Sequence, residues 1–249
     1  ESMLFSISPK TERSELFNCE RELGGLKRAV SNDRLIVFDR LRRMGKTSLL
    51  KVFLNDTESF KAFIDCRSFV KGNSINPDEF DNALIDYIEK ETRTGRFMKL
   101  LKSISSLTMR DVQPTFERSR AERNPASILR KLDTTLERKG IKFIVALDEA
   151  QNLRFFGKGG RDLLNLLAYA FDNLKNVVFI PTGSEVSLLF DFLKLEDPDE
   201  PLFPRYITEI TLRRFSREQS MQFFMAGLNE IGVSFDELYP DKAVTFLYG

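Results

Sequence analysis

The stretch RLIVFDRLRRMGKTSLL, residues 34–50, decides the fold. It opens with a short apolar run that is typical of a buried strand, and it closes with a segment of helical pattern that begins at Lys46. The loop between them ends in Gly45-Lys46-Thr47. A strand, a glycine-containing loop and a helix in this order predict a site where backbone N–H groups and a helix amino terminus wrap anionic phosphate oxygens.

We expect this loop to hold the polyphosphate of a nucleotide. Lys46 would place its ammonium group on the β- and γ-phosphates, and Thr47 would offer its hydroxyl to Mg²⁺. The tripeptide alone is a weak signal, because a chain of this size contains one by chance roughly one time in ten. The expected nucleotide-binding residues are Arg40, Leu41, Arg42, Arg43, Met44, Gly45, Lys46, Thr47 and Ser48.

A second signal is FIVALDEAQ, residues 143–151, an apolar strand that ends in two carboxylates. Such an ending is costly unless the carboxylates serve a cation or catalysis. We expect Asp148 to join Thr47 around Mg²⁺ and Glu149 to orient and polarise the attacking water, because phosphoryl transfer needs positioning and charge neutralisation. The alternative is an ordinary acidic cap at a strand end.

A third strand ends in Thr182-Gly183-Ser184. A small polar group at this point could touch the γ-phosphate or the water, which makes Thr182 a candidate catalytic residue. A strand-to-helix turn capped by Ser184 is an equally good interpretation.

Apolar runs and helical patterns alternate along the chain and predict an α/β doubly wound fold, a three-layer sandwich with a mostly parallel five-stranded sheet. Strands are expected at 34–39, 61–66, 142–147, 177–181 and 206–212, and helices at 20–30, 46–54, 77–104, 125–139, 161–174 and 217–231. Residues 73–139 are too many for one crossover and predict a helical insertion on the edge or top of the sheet. Ser216 and Gln219 predict a capping box, and Gly140 a left-handed helix end.

The composition excludes several classes of protein. The chain has 249 residues, 42% hydrophobic and 30% charged, which is typical of a globular domain. The absence of His and the presence of only Cys19 and Cys66 exclude histidine-based triads and zinc sites built from four Cys or from Cys and His pairs. With no apolar run of 18 residues and no leader pattern, we expect a cytoplasmic protein without membrane contact.

Net charge is +1 and names no partner, but residues 110–131 are locally basic. This segment could touch nucleic-acid phosphates. A solvated loop and helix face is the simpler interpretation, because Phe116 is the only aromatic residue among these charged residues. The basic residues are Arg110, Arg118, Arg120, Arg123, Arg130 and Lys131.

Three further segments, together with the two motifs above, resemble the archaeal P-loop ATPases placed near the AAA+ and STAND groups. They are LAYAFDNLKNVVFIPTGSEVSLLFDFL (167–193), EDPDEPLFPRY (196–206) and ITLRRFSREQSMQFF (210–224). The resemblance runs across nearly the whole chain. It identifies residues 40–47 as Walker A and Asp148-Glu149 as the end of Walker B.

The resemblance implies a P-loop NTPase sheet of the ASCE type, in which another strand separates the Walker A and Walker B strands. It implies ATP, ADP and Mg²⁺ as ligands. Residues 1–249 would form one ATPase core domain, with a helical lid absent or only begun at 241–249 and a winged-helix domain often following in the family. Self-association or a nucleotide-gated protein partner is also implied.

Three positions depart from the family pattern. Arg40 stands at the first Walker A glycine, Cys19 replaces an Arg in the entry box FNCERE, and Pro204 replaces a Gly in LFPR. The next residue, Arg205, is the expected arginine finger, in the same chain or toward a neighbouring subunit. The alternative for Arg205 is a surface ion pair with the acidic run of residues 196–200.

The expected function is therefore an Mg²⁺-dependent ATP hydrolase or an ATP-driven conformational switch of the AAA+/STAND type. The three departures leave open a nucleotide-gated binding module without significant hydrolysis. The basic segment of residues 110–131 leaves open a nucleic-acid-binding protein.

Overall fold

Five strands form the centre of the computed structural model, which describes residues 4–39, 45–102 and 124–233. The strands run in the order β2-β3-β4-β1-β5, and every neighbouring pair is parallel. Their bounds are β1 Ile36–Asp39, β2 Phe60–Asp65, β3 Phe143–Asp148, β4 Val177–Gly183 and β5 Thr208–Thr211. The predicted parallel five-stranded α/β sheet is confirmed. Strand β4 separates β1 from β3, as the resemblance implied.

The bounds of the helices are α1 Glu20–Asn32, α2 Lys46–Asp56, α3 Pro77–Thr92, α4 Gly95–Lys102, α5 Pro125–Glu137, α6 Gly160–Asn173, α7 Val186–Leu193 and α8 Arg217–Glu230, with 3-10 turns at Arg13–Glu15, Cys66–Phe69 and Ala150–Gly159. Helix α1 precedes β1, α8 follows β5, and the other helices lie in the connections between successive strands. Ser216 and Gln219 form the predicted capping box of α8. Gly140 has the predicted positive φ of 62° after α5.

Apolar side chains on the two faces of the sheet form two cores, as a three-layer arrangement requires. On one face, α1 and α2 pack against Ile36, Phe38 and Ile180. On the other face, α3, α5, α6 and α7 pack against Phe143 and Val145, among others. All residues of β3 and β4 are buried, which explains their continuous apolar runs.

The stretch of helical period predicted at residues 77–104 is helical in its described part, where it is divided into two helices, α3 and α4. The chain leaves the first helix after Thr92, and the Thr94 hydroxyl then accepts a hydrogen bond from Phe97 N at 3.3 Å at the start of the second. The 3-10 turn Ala150–Gly159 and helix α7 are two elements that the apolar patterns did not predict. Residues 103–123 and 241–249 lie outside the described residues.

Within the segment predicted as an insertion, α3 packs against strand β2 at the edge of the sheet and also against α5. Arg130 and Lys131 of the basic segment lie on α5 and are exposed, whereas Arg110, Arg118, Arg120 and Arg123 lie outside the described residues. No helix in the described part of the chain has both the length and the apolar character needed to cross a bilayer.

Candidate functional site

The polar residues singled out in the sequence meet at one edge of the sheet, where the parallel strands end. Asp148 ends β3, Gly183 ends β4, and Asp65 ends β2 directly beside Asp148 in the strand register. Helix α2 begins at the same edge, after β1. In open parallel sheets this carboxyl edge is where ligands bind, at the point where the strand order reverses.

The start of α2 places the Lys46 ammonium group in this edge. Gly45 precedes the helix with φ of 79°, a left-handed conformation that glycine adopts without steric cost. Lys46 is only 6% exposed, and its Nζ donates a hydrogen bond to the Gly183 carbonyl oxygen. The helix start and β4 are thus joined through Lys46. Arg40, Leu41, Arg42, Arg43 and Met44 lie outside the described residues, so their nucleotide contacts stay predictions.

The Asp148 carboxylate is held by a hydroxyl on each side. Thr47 Oγ1 donates to Oδ2 at 3.0 Å, and Thr182 Oγ1 donates to Oδ1 at 2.7 Å. Asp148 is 2% exposed and Thr182 is fully buried. The structure therefore places the Thr182 hydroxyl against the Asp148 carboxylate. A contact of Thr182 with phosphate or with the attacking water stays a prediction.

The neighbouring Glu149 has a different environment. Its backbone is left-handed, with φ of 55°, and Asn152 Nδ2 donates to its carbonyl oxygen at 2.9 Å. Positive φ is uncommon outside glycine, and such strain is found at functional sites. This turn directs the side chain away from the strand, where Oε2 accepts hydrogen bonds from Ser184 Oγ at 2.6 Å and Gln151 Nε2 at 2.5 Å.

These contacts set the charge of Glu149. Partial burial raises the pKa of its carboxyl, but the hydrogen bonds from Ser184 and Gln151, together with the Lys46 charge, outweigh burial and hold the pKa below its ordinary value. Glu149 is consequently ionised at neutral pH. Sequence reasoning assigned no role to Gln151 or Asn152, although they lie two and three residues after Glu149.

An open cavity of about 440 Å³ lies in front of these groups. This volume falls within the range of small-molecule sites. Gly45, Lys46, Thr47 and Ser48 line the cavity together with Glu149 and Ser184. The cavity therefore joins the predicted phosphate loop to the predicted catalytic carboxylate.

Arg205 is occupied away from this cavity. Its Nε and Nη2 donate to the two carboxylate oxygens of Asp172 at 2.9 and 2.5 Å, and Nη1 donates to the Pro201 carbonyl oxygen. An ion pair is thus present, but its partner is Asp172 and not the acidic run of residues 196–200. Arg205 is not among the residues that line the cavity, and its role as an arginine finger stays a prediction.

The N-terminal entry box starts α1. Cys19 is the residue that precedes the helix, and its Sγ contacts the Phe17 carbonyl oxygen at 3.2 Å. The Phe17 ring packs edge-on against Phe215 and Phe223 near α8. The entry box is therefore fixed by an aromatic cluster.

The parallel sheet, the helix that begins at Lys46 and the carboxylates at the end of β3 are the features of a P-loop ATPase domain. The chain belongs to the family of ATPase domains found predominantly in Archaea, whose model matches residues 16–245. The family resemblance seen in the sequence is thereby confirmed. No curated protein matches the chain.

Solved structures support the same fold. The Walker-type ATPase of Pyrococcus abyssi is 36% identical, with a TM-score of 0.81, over 98% of this chain and 67% of that chain. The ORC2 protein of Aeropyrum pernix is similar in its ADP form, at 14% identity and a TM-score of 0.55, and in its ADPNP–ADP complexes, at 13% and 0.53. Either ORC2 structure covers 91% of this chain, which spans 55% of that protein. At these identities the ORC2 likeness shows the fold alone.

Proposed function

We propose that the chain is an Mg²⁺-dependent ATP hydrolase whose cycle drives a conformational change of the AAA+/STAND type. The observation that carries the proposal is the division of roles between two adjacent carboxylates. Asp148 is buried against Thr47, and Glu149 is ionised and lines the cavity. Membership of the ATPase family supports the same reaction.

Phosphate binding is assigned to the start of α2. A helix amino terminus presents backbone N–H groups and a partial positive charge, both of which favour anions. Lys46 lines the cavity and holds the Gly183 carbonyl oxygen. A phosphate oxygen is a stronger acceptor than a neutral carbonyl, so Lys46 would move to the β- and γ-phosphates when ATP binds.

Thr47 and Asp148 are the residues that would hold Mg²⁺. One hydroxyl and one carboxylate fit this ion, which binds few protein oxygens and completes its shell with phosphates and water. The described residues contain no group of three or more acidic or Cys side chains that could hold a metal by themselves, which agrees with a site completed by ATP. When bound, the ion would neutralise charge on the phosphates.

Glu149 is assigned to the attacking water. Its lowered pKa keeps it an acceptor, so a water between Glu149 and the γ-phosphate would point a lone pair at phosphorus. Ser184 and Gln151 fix the carboxylate in this role. The left-handed backbone at Glu149 lets its side chain take a different direction from that of the adjacent, buried Asp148.

The test is Glu149→Gln, which keeps the shape of the side chain and removes its charge. We expect ATP binding within about threefold of wild type and a loss of phosphate release on the order of 100-fold or more. Binding would be measured by calorimetry and turnover by phosphate release. Glu137→Gln is the matched control, because Glu137 forms an exposed ion pair with Lys175 and neither residue lines the cavity.

Undiminished turnover in Glu149→Gln would refute the assignment of the water-orienting group. Tight ATP retention by the wild-type protein, with no phosphate release, would instead favour the nucleotide-gated binding module that Arg40, Cys19 and Pro204 leave open.

A further inference from the structure

Arg67 lies in the cavity although no motif points to it. It follows strand β2, whose last residue Asp65 pairs with Asp148 in the sheet, and it belongs to the 3-10 turn Cys66–Phe69. Arg67 lines the same cavity as Lys46 and Glu149. The strand order places Arg67 on the β2 side of Glu149, whereas Lys46 approaches from the β1 side.

Asp65 holds one edge of the Arg67 guanidinium. Nε lies 2.9 and 3.2 Å from the two carboxylate oxygens, and Nη2 donates to Oδ2 at 2.6 Å. The Asp65 carboxylate also accepts the backbone N–H of Arg67 at 3.0 Å, which fixes the turn. In the described ranges of the chain, Nη1 has no hydrogen-bond partner. A planar cation is therefore oriented along one edge and available along the other.

The charge of the cavity calls for a second cation. Four charged side chains line it: Lys46 and Arg67 are positive, and Glu149 and Glu185 are negative. The γ-phosphate brings further negative charge toward Glu149, and a second cation on the β2 side would add to the neutralisation assigned to Lys46. The Asp65 hydrogen bonds, and then the charges of Asp148 and Glu149, raise the pKa of the Arg67 guanidinium.

We propose that Arg67 is a catalytic residue that contacts the γ-phosphate of ATP through its Nη1 edge, and that Asp65 is the residue that positions it. Arg67 thus acts as an arginine finger supplied by the same chain, the role for which the sequence nominated Arg205. Arg205 has its guanidinium paired with Asp172. This inference rests on the proposed ATPase function.

The variant Arg67→Ala separates γ-phosphate contact from general nucleotide binding. We expect its affinity for ADP to stay within about threefold of wild type and its affinity for a non-hydrolysable ATP analogue to fall on the order of 10- to 100-fold. Phosphate release at saturating ATP falls on the order of a thousandfold. The side chain is 62% exposed, so its removal leaves the fold intact.

Arg93→Ala is the matched control. Arg93 is also an exposed arginine paired with a carboxylate, but its partner Glu89 lies one turn away on α3. This variant keeps both affinities and turnover. Thermal unfolding of both variants checks that neither result reflects loss of structure.

Asp65→Asn tests the positioning role. In the wild-type background, the turnover number falls about tenfold with little change in ADP affinity, because Arg67 keeps its charge but loses its fixed direction. In the Arg67→Ala background, Asp65→Asn has no further effect on turnover, since Asp65 acts through Arg67. A purely structural role would lower turnover in both backgrounds.

The outcomes separate this inference from the proposed function. Equal affinities of wild type and Arg67→Ala for the ATP analogue, or an equal loss for ADP and the analogue, would overturn the contact with the γ-phosphate. A wild-type protein that binds ATP without hydrolysing it would overturn the proposed hydrolase, while the ratio of the two affinities still tests the Arg67 contact. A wild-type protein that binds no nucleotide would overturn both.

Discussion

At the scale of single residues, Asp148 is the most buried charged residue in the described part of the chain. A carboxylate that is 2% exposed has lost its hydration, and each of its oxygens accepts a hydrogen bond from a threonine hydroxyl. A buried charge is tolerated when hydrogen bonds or a cation compensate it. Two neutral hydroxyls compensate only in part, so a cation beside Asp148 would stabilise the site further.

The variant Thr182→Val tests the support of Asp148. Valine keeps the branched shape but leaves Oδ1 without a donor, so we expect the free energy of unfolding to fall by about 1–3 kcal/mol. We also expect a weaker dependence of ATP binding on Mg²⁺, because the carboxylate is less firmly oriented. Urea unfolding and Mg²⁺ titrations measure the two effects.

Thr134→Val is the control for this substitution. The Thr134 hydroxyl bonds only to the carbonyl oxygen of Arg130 within an exposed stretch of α5. Its loss leaves no buried charge unpaired, so a change within about 0.5 kcal/mol is expected. Equal stability losses in the two variants would show that burial of Asp148 is not what makes Thr182 important.

The positions of residues in the fold were predictable from sequence where a motif fixes both the residue and its neighbours in the chain. Lys46 and Asp148 lie where their motifs place them, at a helix start and a strand end. The sequence could not show which of Arg67 and Arg205 lies at the site. Their partners depend on whether a carboxylate lies beside them, Asp65 two residues away or Asp172 across the fold.

At the scale of elements, the junction between β4 and α7 is the tightest part of the site. A Cβ added to Gly183 would lie 2.8 Å from Gln151 Oε1 and 3.1 Å from Leu189 Cβ. The Gly183 carbonyl also accepts from Lys46. Any side chain at this position therefore disturbs the Gln151 amide that steadies Glu149.

Gly183→Ala is expected to lower the free energy of unfolding by about 1–3 kcal/mol and to reduce turnover, since Gln151 must shift. For Gly25→Ala we expect the free energy of unfolding to rise. Gly25 lies inside α1, and no atom lies within 4 Å of an added Cβ, so alanine there raises stability by about 0.5–1 kcal/mol. Chemical denaturation measures both, and stabilisation by Gly183→Ala would contradict the packing described.

Helices and strands were predictable from sequence where the hydrophobic period agrees with the capping and turn residues at the ends of the segment. The capping box of α8 and the buried run of β3 are examples. Helix α7 follows β4 within three residues and is apolar over most of its length, so periodicity alone did not separate it from its surroundings. The break between α3 and α4 depends on the local cap at Thr94.

At the scale of the whole molecule, the strand order assembles the site. Lys46, Arg67, Glu149 and Ser184 line the cavity and are far apart in sequence. Lys46 begins α2, and the other three follow β2, β3 and β4 in turn at the same edge of the sheet. The alternation of strands and helices predicted the parallel sheet, and the family resemblance predicted that another strand separates β1 from β3. Which of the edge residues face one cavity required the three-dimensional structure.

The chain spans about two thirds of the Pyrococcus abyssi ATPase and 55% of the Aeropyrum pernix ORC2 protein. The rest of each of those proteins lies beyond the part compared. The part of this chain that the structure describes contains a cavity between the start of α2 and the end of β3. We propose that this cavity binds and hydrolyses ATP with Mg²⁺.

The most direct test is a calorimetric titration of the wild-type protein with ATP, with Mg²⁺ and with EDTA, followed by phosphate release from the same samples and from Lys46→Ala. We predict binding that weakens without Mg²⁺, steady phosphate release, and at least a tenfold loss of affinity in Lys46→Ala because its charge-assisted contacts with phosphate are gone. Thermal unfolding would verify that Lys46→Ala is folded. Equal binding and turnover by wild type and a folded Lys46→Ala would contradict the claim.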